Sequence, residues 1–206
     1  MNVKETVKSR WKGCRIRHKA IKMTRLRKMV KESFFSEVLS ISGGTLAGLF
    51  LASSAMQNLL ENFPGLLIMI PGFLGLRGNI LGAVSARVGT GLHTGLIEPK
   101  ITLKGDTAMN FVASLLLSTF VNTLIGVLAY FVSAILGMDA VLWKLMVVGA
   151  LSGALASAIV GPFTIVLTIL VFRKGIDPDS VMGPLVTSVG DITAVICLFL
   201  AAILVG

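Results

Sequence analysis

Four long apolar segments constrain the fold of this chain more than any other feature of its sequence. They are Val38–Leu60, Thr107–Met138, Leu145–Phe172 and Ser180–Gly206. Each is long enough to cross a bilayer, which takes roughly 20 apolar residues at a rise of about 1.5 Å per residue. Only 14% of the residues are charged, whereas a soluble domain carries about a quarter. The sequence therefore predicts an all-α integral membrane protein.

A fifth segment, Phe63–Leu92, is also long enough but contains residues that interrupt helices. Pro64 and Pro71 lie near its start, glycines recur along it, and Arg77 and Arg87 place two charges within it. Non-helical backbone is tolerated at membrane depth only where protein or a water-filled cavity surrounds it. We therefore predict five transmembrane segments, of which the second is broken or re-entrant.

The N-terminal 33 residues form a basic arm, since residues 1–31 hold twelve Lys or Arg and a single acid, Glu5. The arm lacks the apolar core of a signal peptide, so we expect it to stay in the cytoplasm and to contact anionic lipid headgroups. It has no recognisable motif for reading nucleic acid, and no nucleic-acid partner is expected. The predicted domains are the cytoplasmic arm, 1–33, and the five-span membrane domain, 34–206.

The charges of the loops indicate how the spans are oriented. The loops after the second and fourth segments carry basic residues: Arg87, Lys100, Lys104, Arg173 and Lys174. The other two loops offer Glu61, Asp139 and only Lys144. Because basic loops stay in the cytoplasm, we predict a multi-pass protein of the cell membrane, with its N-terminus inside and its C-terminus outside.

Stripes of small or polar residues at steps of four mark three of the segments. Small-residue stripes let helix backbones approach closely, and two are predicted to serve packing: Ser40, Gly44, Gly48 and Ala52; and Gly149, Gly153, Ser157 and Gly161. The third stripe is polar: Asn110, Ser114, Ser118 and Asn122. Bonds between helices and the lining of a pathway explain the polar stripe equally well.

Asp191 is the only charged residue inside the last segment. It lies about 18 Å along a helix from Asp179, near the middle of the membrane. The residues on its side of the helix are small or polar: Pro184, Thr187, Ser188, Gly190 and Ala194. An ionisable group at this depth costs about 2.5 kcal/mol or more, so Asp191 needs a partner, a proton or an ion. A structural pair with Arg77 is one interpretation, and an ion site is the other.

The available ligands favour a hard cation that prefers oxygen. A histidine or cysteine site is excluded by spacing, because His18 lies in the arm and His93 stands alone. Mg²⁺ is commonly held by one or two carboxylates, and two chains on a two-fold axis would supply a pair of Asp191 side chains. Asn79 and unwound backbone of the second segment could add further oxygens.

Two motifs resemble those of a known family. Leu74–Asn79, followed by Ser85–Arg87, resembles the Gly-Asn motif of MgtE-type magnesium transporters, and most of all that of their eukaryotic solute-carrier branch. Asp177–Asp179, Pro184–Val186 and Gly190–Asp191 are similar to the start of the final helix of that family. The five-span plan extends the likeness along the membrane domain.

The resemblance implies a Mg²⁺ transporter or channel that works as a homodimer, with a central pore lined by the second and fifth spans. It implies Asp191 as the ion-binding carboxylate and Asn79 beside it. The other expected pore-lining residues are Gly78, Pro184, Thr187, Ser188 and Gly190. Asp177 and Asp179 would flank the cytoplasmic mouth, although capping of the final helix is an alternative role, favoured for Asp179.

Three departures from the family pattern and two other functions stay open. The eukaryotic branch joins two such membrane units in one chain, whereas this sequence has one. No glutamine follows the Gly-Asn motif within Ile80–Ser85, and the arm is too short for the cytosolic sensor domain of the bacterial branch. The chain could instead be a Na⁺- or H⁺-coupled exchanger of another cation, or a non-transporting scaffold or regulatory subunit with a structural Asp191. No nucleophile–base pair or carboxylate cluster occurs at helical spacing, so neither enzyme activity nor a cofactor is expected.

Overall fold

The computed structural model describes Val30, Lys31, Phe34 and residues 36–206. The chain divides into two units, Met1–Phe35 and Ser36–Gly206, and the architecture that follows belongs to the second unit. Most of the basic arm predicted for residues 1–33 lies outside the described residues. Its proposed contact with lipid therefore stays a prediction.

Six helices follow one another in residues 36–206. Their bounds are Ser36–Leu51 (α1), Ser54–Asn62 (α2), Leu66–Thr94 (α3), Asp106–Ile135 (α4), Leu142–Arg173 (α5) and Pro178–Val205 (α6). Helices α3 to α6 are each long and apolar enough to cross a membrane, and α1 with α2 makes a fifth span if the bent pair is counted as one. The all-helical membrane class is confirmed, with four or five candidate spans.

The broken segment was assigned to the wrong part of the sequence. The second segment is one continuous helix, because Pro71 removes only a single backbone hydrogen bond and neighbouring helices cover the site. The break lies instead within the first segment, where α1 and α2 meet at an angle of 63°. Ser53 is extended there (φ −64°, ψ 146°), and its side chain accepts from the Met56 N–H at 3.4 Å. Because an N-cap residue has a non-helical backbone, Ser53 separates the end of α1 from the start of α2.

Helix α3 contacts α4, α5 and α6, and α5 contacts α4 and α6, so these four helices form the main bundle. The largest apolar cluster joins the N-terminal half of α3 to α2, α5 and α6. Its fully buried members include Met56, Leu66, Phe73, Leu145 and Leu198. Helix α3 is thus packed on several sides and has only one open face.

The polar stripe of α4 and the small stripe of α5 pack against each other. The Ser118 hydroxyl donates to the Gly153 carbonyl at 3.1 Å, and the Asn122 amide donates to the Ser118 carbonyl at 2.7 Å. A Cβ added at Gly149 would lie 2.9 Å from the Asn122 carbonyl carbon. The α5 stripe serves packing as predicted, and bonding between helices accounts for Ser118, whereas Asn122 bonds within α4 and packs against Gly149 and Gly153.

The small stripe of α1 differs from its predicted packing role. Gly44 and Gly48 are exposed, and a Cβ added to either would meet nothing within 4 Å. The neighbouring face, with Gly43 and Ala47, is buried instead. Within the Ser36–Gly206 unit, α1 therefore packs through a face turned by about 100° from the predicted stripe.

Candidate functional site

Helices α3 and α6 lie side by side and run in opposite directions. A Cβ added at Gly78 would lie 3.3 Å from Thr187 Oγ1, and one added at Gly89 would lie 3.7 Å from Asp179 Oδ1. Increasing residue numbers on α3 thus match decreasing numbers on α6. The Gly-Asn motif and the segment around Asp191, which are far apart in sequence, face the same stretch of the bundle.

Asp191 lies on α6, half-buried, with one carboxylate oxygen fully enclosed. That oxygen, Oδ1, accepts no hydrogen bond from any residue that the structure describes. A buried carboxylate oxygen without a donor is costly. Asp191 therefore keeps acceptor capacity that the described residues do not satisfy.

Arg77 is close to Asp191 but does not form an ion pair with it. The two charges interact electrostatically, yet among the described residues no nitrogen–oxygen distance of 4.0 Å or less joins them. The aliphatic part of Arg77 packs instead on Gly190, where an added Cβ would lie 3.1 Å from Arg77 Cδ. The direct pair considered in the sequence analysis is not formed.

Further oxygen ligands lie on both helices, and of these Thr187 is one helical turn from Asp191. Asn79 is exposed on α3 and makes no hydrogen bond to the described residues. The Thr187 hydroxyl is half-buried and donates to the Gly183 carbonyl at 2.9 Å, which leaves its oxygen lone pairs available. Pro184 has no N–H, so the Ser180 carbonyl lacks its helical donor. All of these are hard ligands.

Ser188 has a different environment from the other predicted pore-lining residues. Its hydroxyl donates to the Leu39 carbonyl of α1 at 3.1 Å, and only 9% of the residue is exposed. A Cβ added at Gly43 would lie 2.8 Å from Ser188 Cα. Ser188 therefore joins α6 to α1, a contact that its sequence neighbours give no reason to expect.

The acidic residues at the start of α6 are exposed, and one of them caps the helix. Asp177 is the N-cap and accepts from the Asp179 N–H at 3.2 Å. Its Oδ1 also lies 3.8 Å from His93 Nε2, near the end of α3. Capping was considered for both acids and favoured for Asp179; the proline after Asp177, which suits a first helical position, is the sequence signal that could have identified the cap.

The open face of α3 is unusual for a surface in contact with lipid. Between Pro71 and Thr90, every exposed residue of α3 is Pro, Gly, Asn, Ala, Arg or Thr. The exposed face of α4 instead carries large apolar side chains, among them Met109, Leu116, Phe120, Leu128 and Phe131. Contact with lipid explains the α4 face, whereas small and polar groups are typical of faces that meet protein or line a cavity.

No group of three or more His, Cys, Asp or Glu side chains that could hold a metal ion occurs among the described residues. Among the described residues, Asp191 is the one acid that is not exposed, with Thr187 one turn away on α6 and Asn79 on the adjacent helix α3. Such a set can hold a hard cation loosely, and two copies could hold it better.

Comparison with known proteins agrees with this chemistry. No curated protein matches the chain. Residues 70–201, from α3 to near the end of α6, match the family MgtE, described as divalent cation transporter. The match covers more than half of the chain and includes both motifs noted in the sequence. This multi-pass membrane protein therefore belongs to the MgtE family of divalent cation transporters.

Proposed function

We propose that two copies of this chain form a homodimer that carries Mg²⁺ along the two-fold axis, with Asp191 of each copy as an ion-binding carboxylate. The observation that carries the proposal is the enclosed Asp191 oxygen that no donor satisfies. It lies on α6, which contacts α3, and between Pro71 and Thr90 the open face of α3 exposes no large apolar side chain. Both features are explained if that face meets a second copy across a hydrated path.

The need for a second copy follows from charge. One carboxylate balances half of the charge of a divalent cation, and all the other acids among the described residues are exposed. A two-fold axis beside α3 and α6 would bring two Asp191 side chains together. Neutral oxygens from Asn79 and Thr187 could then complete the shell or hold its waters.

The ion would pass the exposed start of α6 at the cytoplasmic mouth, where Asp177 and Asp179 add negative charge. The basic residues Arg173 and Lys174, just before this point, support a cytoplasmic location for it. Gly78 faces Thr187 with no side chain of its own, which lets α3 and α6 approach closely one helical turn from Asp191.

We expect Asp191→Asn to abolish divalent cation uptake while leaving the dimer intact. The substitution keeps the size of the side chain but removes the charge that attracts the ion. The measurement is Mg²⁺ uptake into proteoliposomes that contain the purified protein and a trapped magnesium-sensitive dye. Asp139→Asn, which neutralises an exposed acid between α4 and α5, is the matched control and should transport like the wild type.

Three outcomes separate the interpretations. Uptake by the Asp191→Asn dimer at the wild-type rate would exclude Asp191 as the ion ligand. Wild-type uptake that requires an imposed sodium or proton gradient would favour the coupled exchanger. No uptake by a folded wild-type dimer under any gradient would favour the scaffold or regulatory subunit.

A further inference from the structure

The Arg77 side chain is a buried cation whose donors are unsatisfied. The residue is 4% exposed, and its Nε and Nη1 atoms donate to none of the described residues. A guanidinium keeps its proton in proteins, so it cannot escape this cost by becoming neutral. A buried arginine inside a membrane span is expected to have a functional role.

The surroundings of Arg77 hold the guanidinium near Asp191 but out of contact. Its Cζ lies 4.8 Å from the centre of the Phe73 ring, one turn earlier on α3. Its aliphatic stem occupies the space that a side chain at position 190 would fill. Packing on both sides therefore fixes the position of the charge relative to the carboxylate.

The charges of the two residues cancel when no ion is present. Asp191 alone would leave one uncompensated negative charge per chain in a region of low dielectric. With Arg77 inside its field, the empty site is close to neutral, and an arriving cation meets attraction from Asp191 and repulsion from Arg77. Opposite effects of this kind set how tightly an ion is held.

We propose that Arg77 is a fixed counter-charge of the ion site, which balances Asp191 in the empty site and weakens cation binding in the occupied one. This inference rests on the proposed ion-binding role of Asp191 and adds a residue that sets the affinity. Its consequence for transport is fast release, because a site that binds too tightly does not conduct.

The test is Mg²⁺ binding to the purified full-length protein, measured by titration calorimetry at constant ionic strength. Arg77→Met keeps the length of the side chain and removes the charge, and we expect its Kd to be lower than the wild-type Kd by about tenfold or more. Arg77→Lys keeps the charge and should bind within about threefold of the wild type, as expected when charge rather than hydrogen bonding decides.

Arg87→Met is the matched control, because it removes an exposed arginine from the same helix. Its Kd should stay at the wild-type value if the position of the charge matters. In proteoliposomes, the Arg77→Met protein should reach half-maximal uptake at a lower Mg²⁺ concentration but with a smaller maximal rate. General damage to the fold lowers the rate without tightening binding.

Asp191→Asn in each background distinguishes the two proposals. Wild-type Mg²⁺ binding that survives Asp191→Asn would overturn the ion-site assignment itself. Binding that depends on Asp191 but is equal or weaker in Arg77→Met would overturn the counter-charge alone. If Arg77→Met does not fold, Arg77→Gln, which keeps amide donors without the charge, takes its place under the same criteria.

Discussion

At the scale of single residues, glycines decide which parts of the helices can touch. Gly190 leaves room for the stem of Arg77, and Gly78 lets α3 approach Thr187. Gly43 admits Ser188 of α6, whereas its neighbour Gly44 faces open space. A sequence can predict that glycines serve close packing, but two adjacent glycines in a helix point about 100° apart, and only their neighbours show which one packs.

Gly43 and Gly44 give a sharp test of this packing. Gly43→Ala would place a methyl group 2.8 Å from the backbone Cα of Ser188, so we expect it to lower the free energy of unfolding by about 1–3 kcal/mol. Gly44→Ala meets nothing within 4 Å and should be neutral or stabilising by up to about 1 kcal/mol, because alanine is the better helix former. Thermal unfolding of the purified proteins in detergent measures both. Equal losses in the two variants would contradict the α1–α6 contact.

At the scale of helices, the apolar segments were predicted well and the break was not. All five predicted segments correspond to helices, because apolar length alone constrains a chain in a bilayer. Pro71 suggested a broken second segment, but a proline in the second turn of a long packed helix leaves one carbonyl free and no more. Ser53 was overlooked because a single cap residue inside an apolar run is a weak signal.

The polar residues of α4 show a similar limit. A stripe of Ser and Asn predicts a face that avoids lipid, and Ser118 and Asn122 do face α5. The sequence alone could not separate a packed interface from a pathway, because both satisfy polar groups. The answer depended on which helix carried the matching small stripe, and Gly149 and Gly153 of α5 provide it.

At the scale of the whole molecule, the chain has two kinds of outer surface. The α4 surface has the large apolar side chains that lipid favours, and the open face of α3 has small and polar ones. Asp191 stands out in the sequence as a candidate site because a charge at mid-membrane is rare. Arg77 beside it could not be placed, since the sequence did not show whether it would pair with Asp191, face a cavity or pack on Phe73.

The small face of α3 should be where two copies meet, and disulfide trapping can test this. In a background without Cys14 and Cys197, we expect Ala83→Cys on that face to give a covalent dimer under mild oxidation in membranes. Leu116→Cys on the exposed face of α4 is the matched control and should stay monomeric. Cross-linking at Leu116→Cys alone would place the interface on α4 and contradict an axis beside α3.

The packing of α6 over the Arg77 side chain also has a consequence for biosynthesis. Helix α3 is the least apolar of the four long helices, with a mean hydropathy of 1.6 against 2.4 for α6. Part of what shields Arg77 comes from Gly190, which the ribosome makes long after α3. A nascent chain truncated before Pro178 should therefore integrate α3 poorly, as read from glycosylation tags beside it, and Arg77→Met should restore integration. Equal integration with and without Arg77→Met would mean that the arginine is shielded before α6 is made. Integration of α3 that depends on Arg77 would mean that α6, which is made much later, completes the membrane insertion of α3.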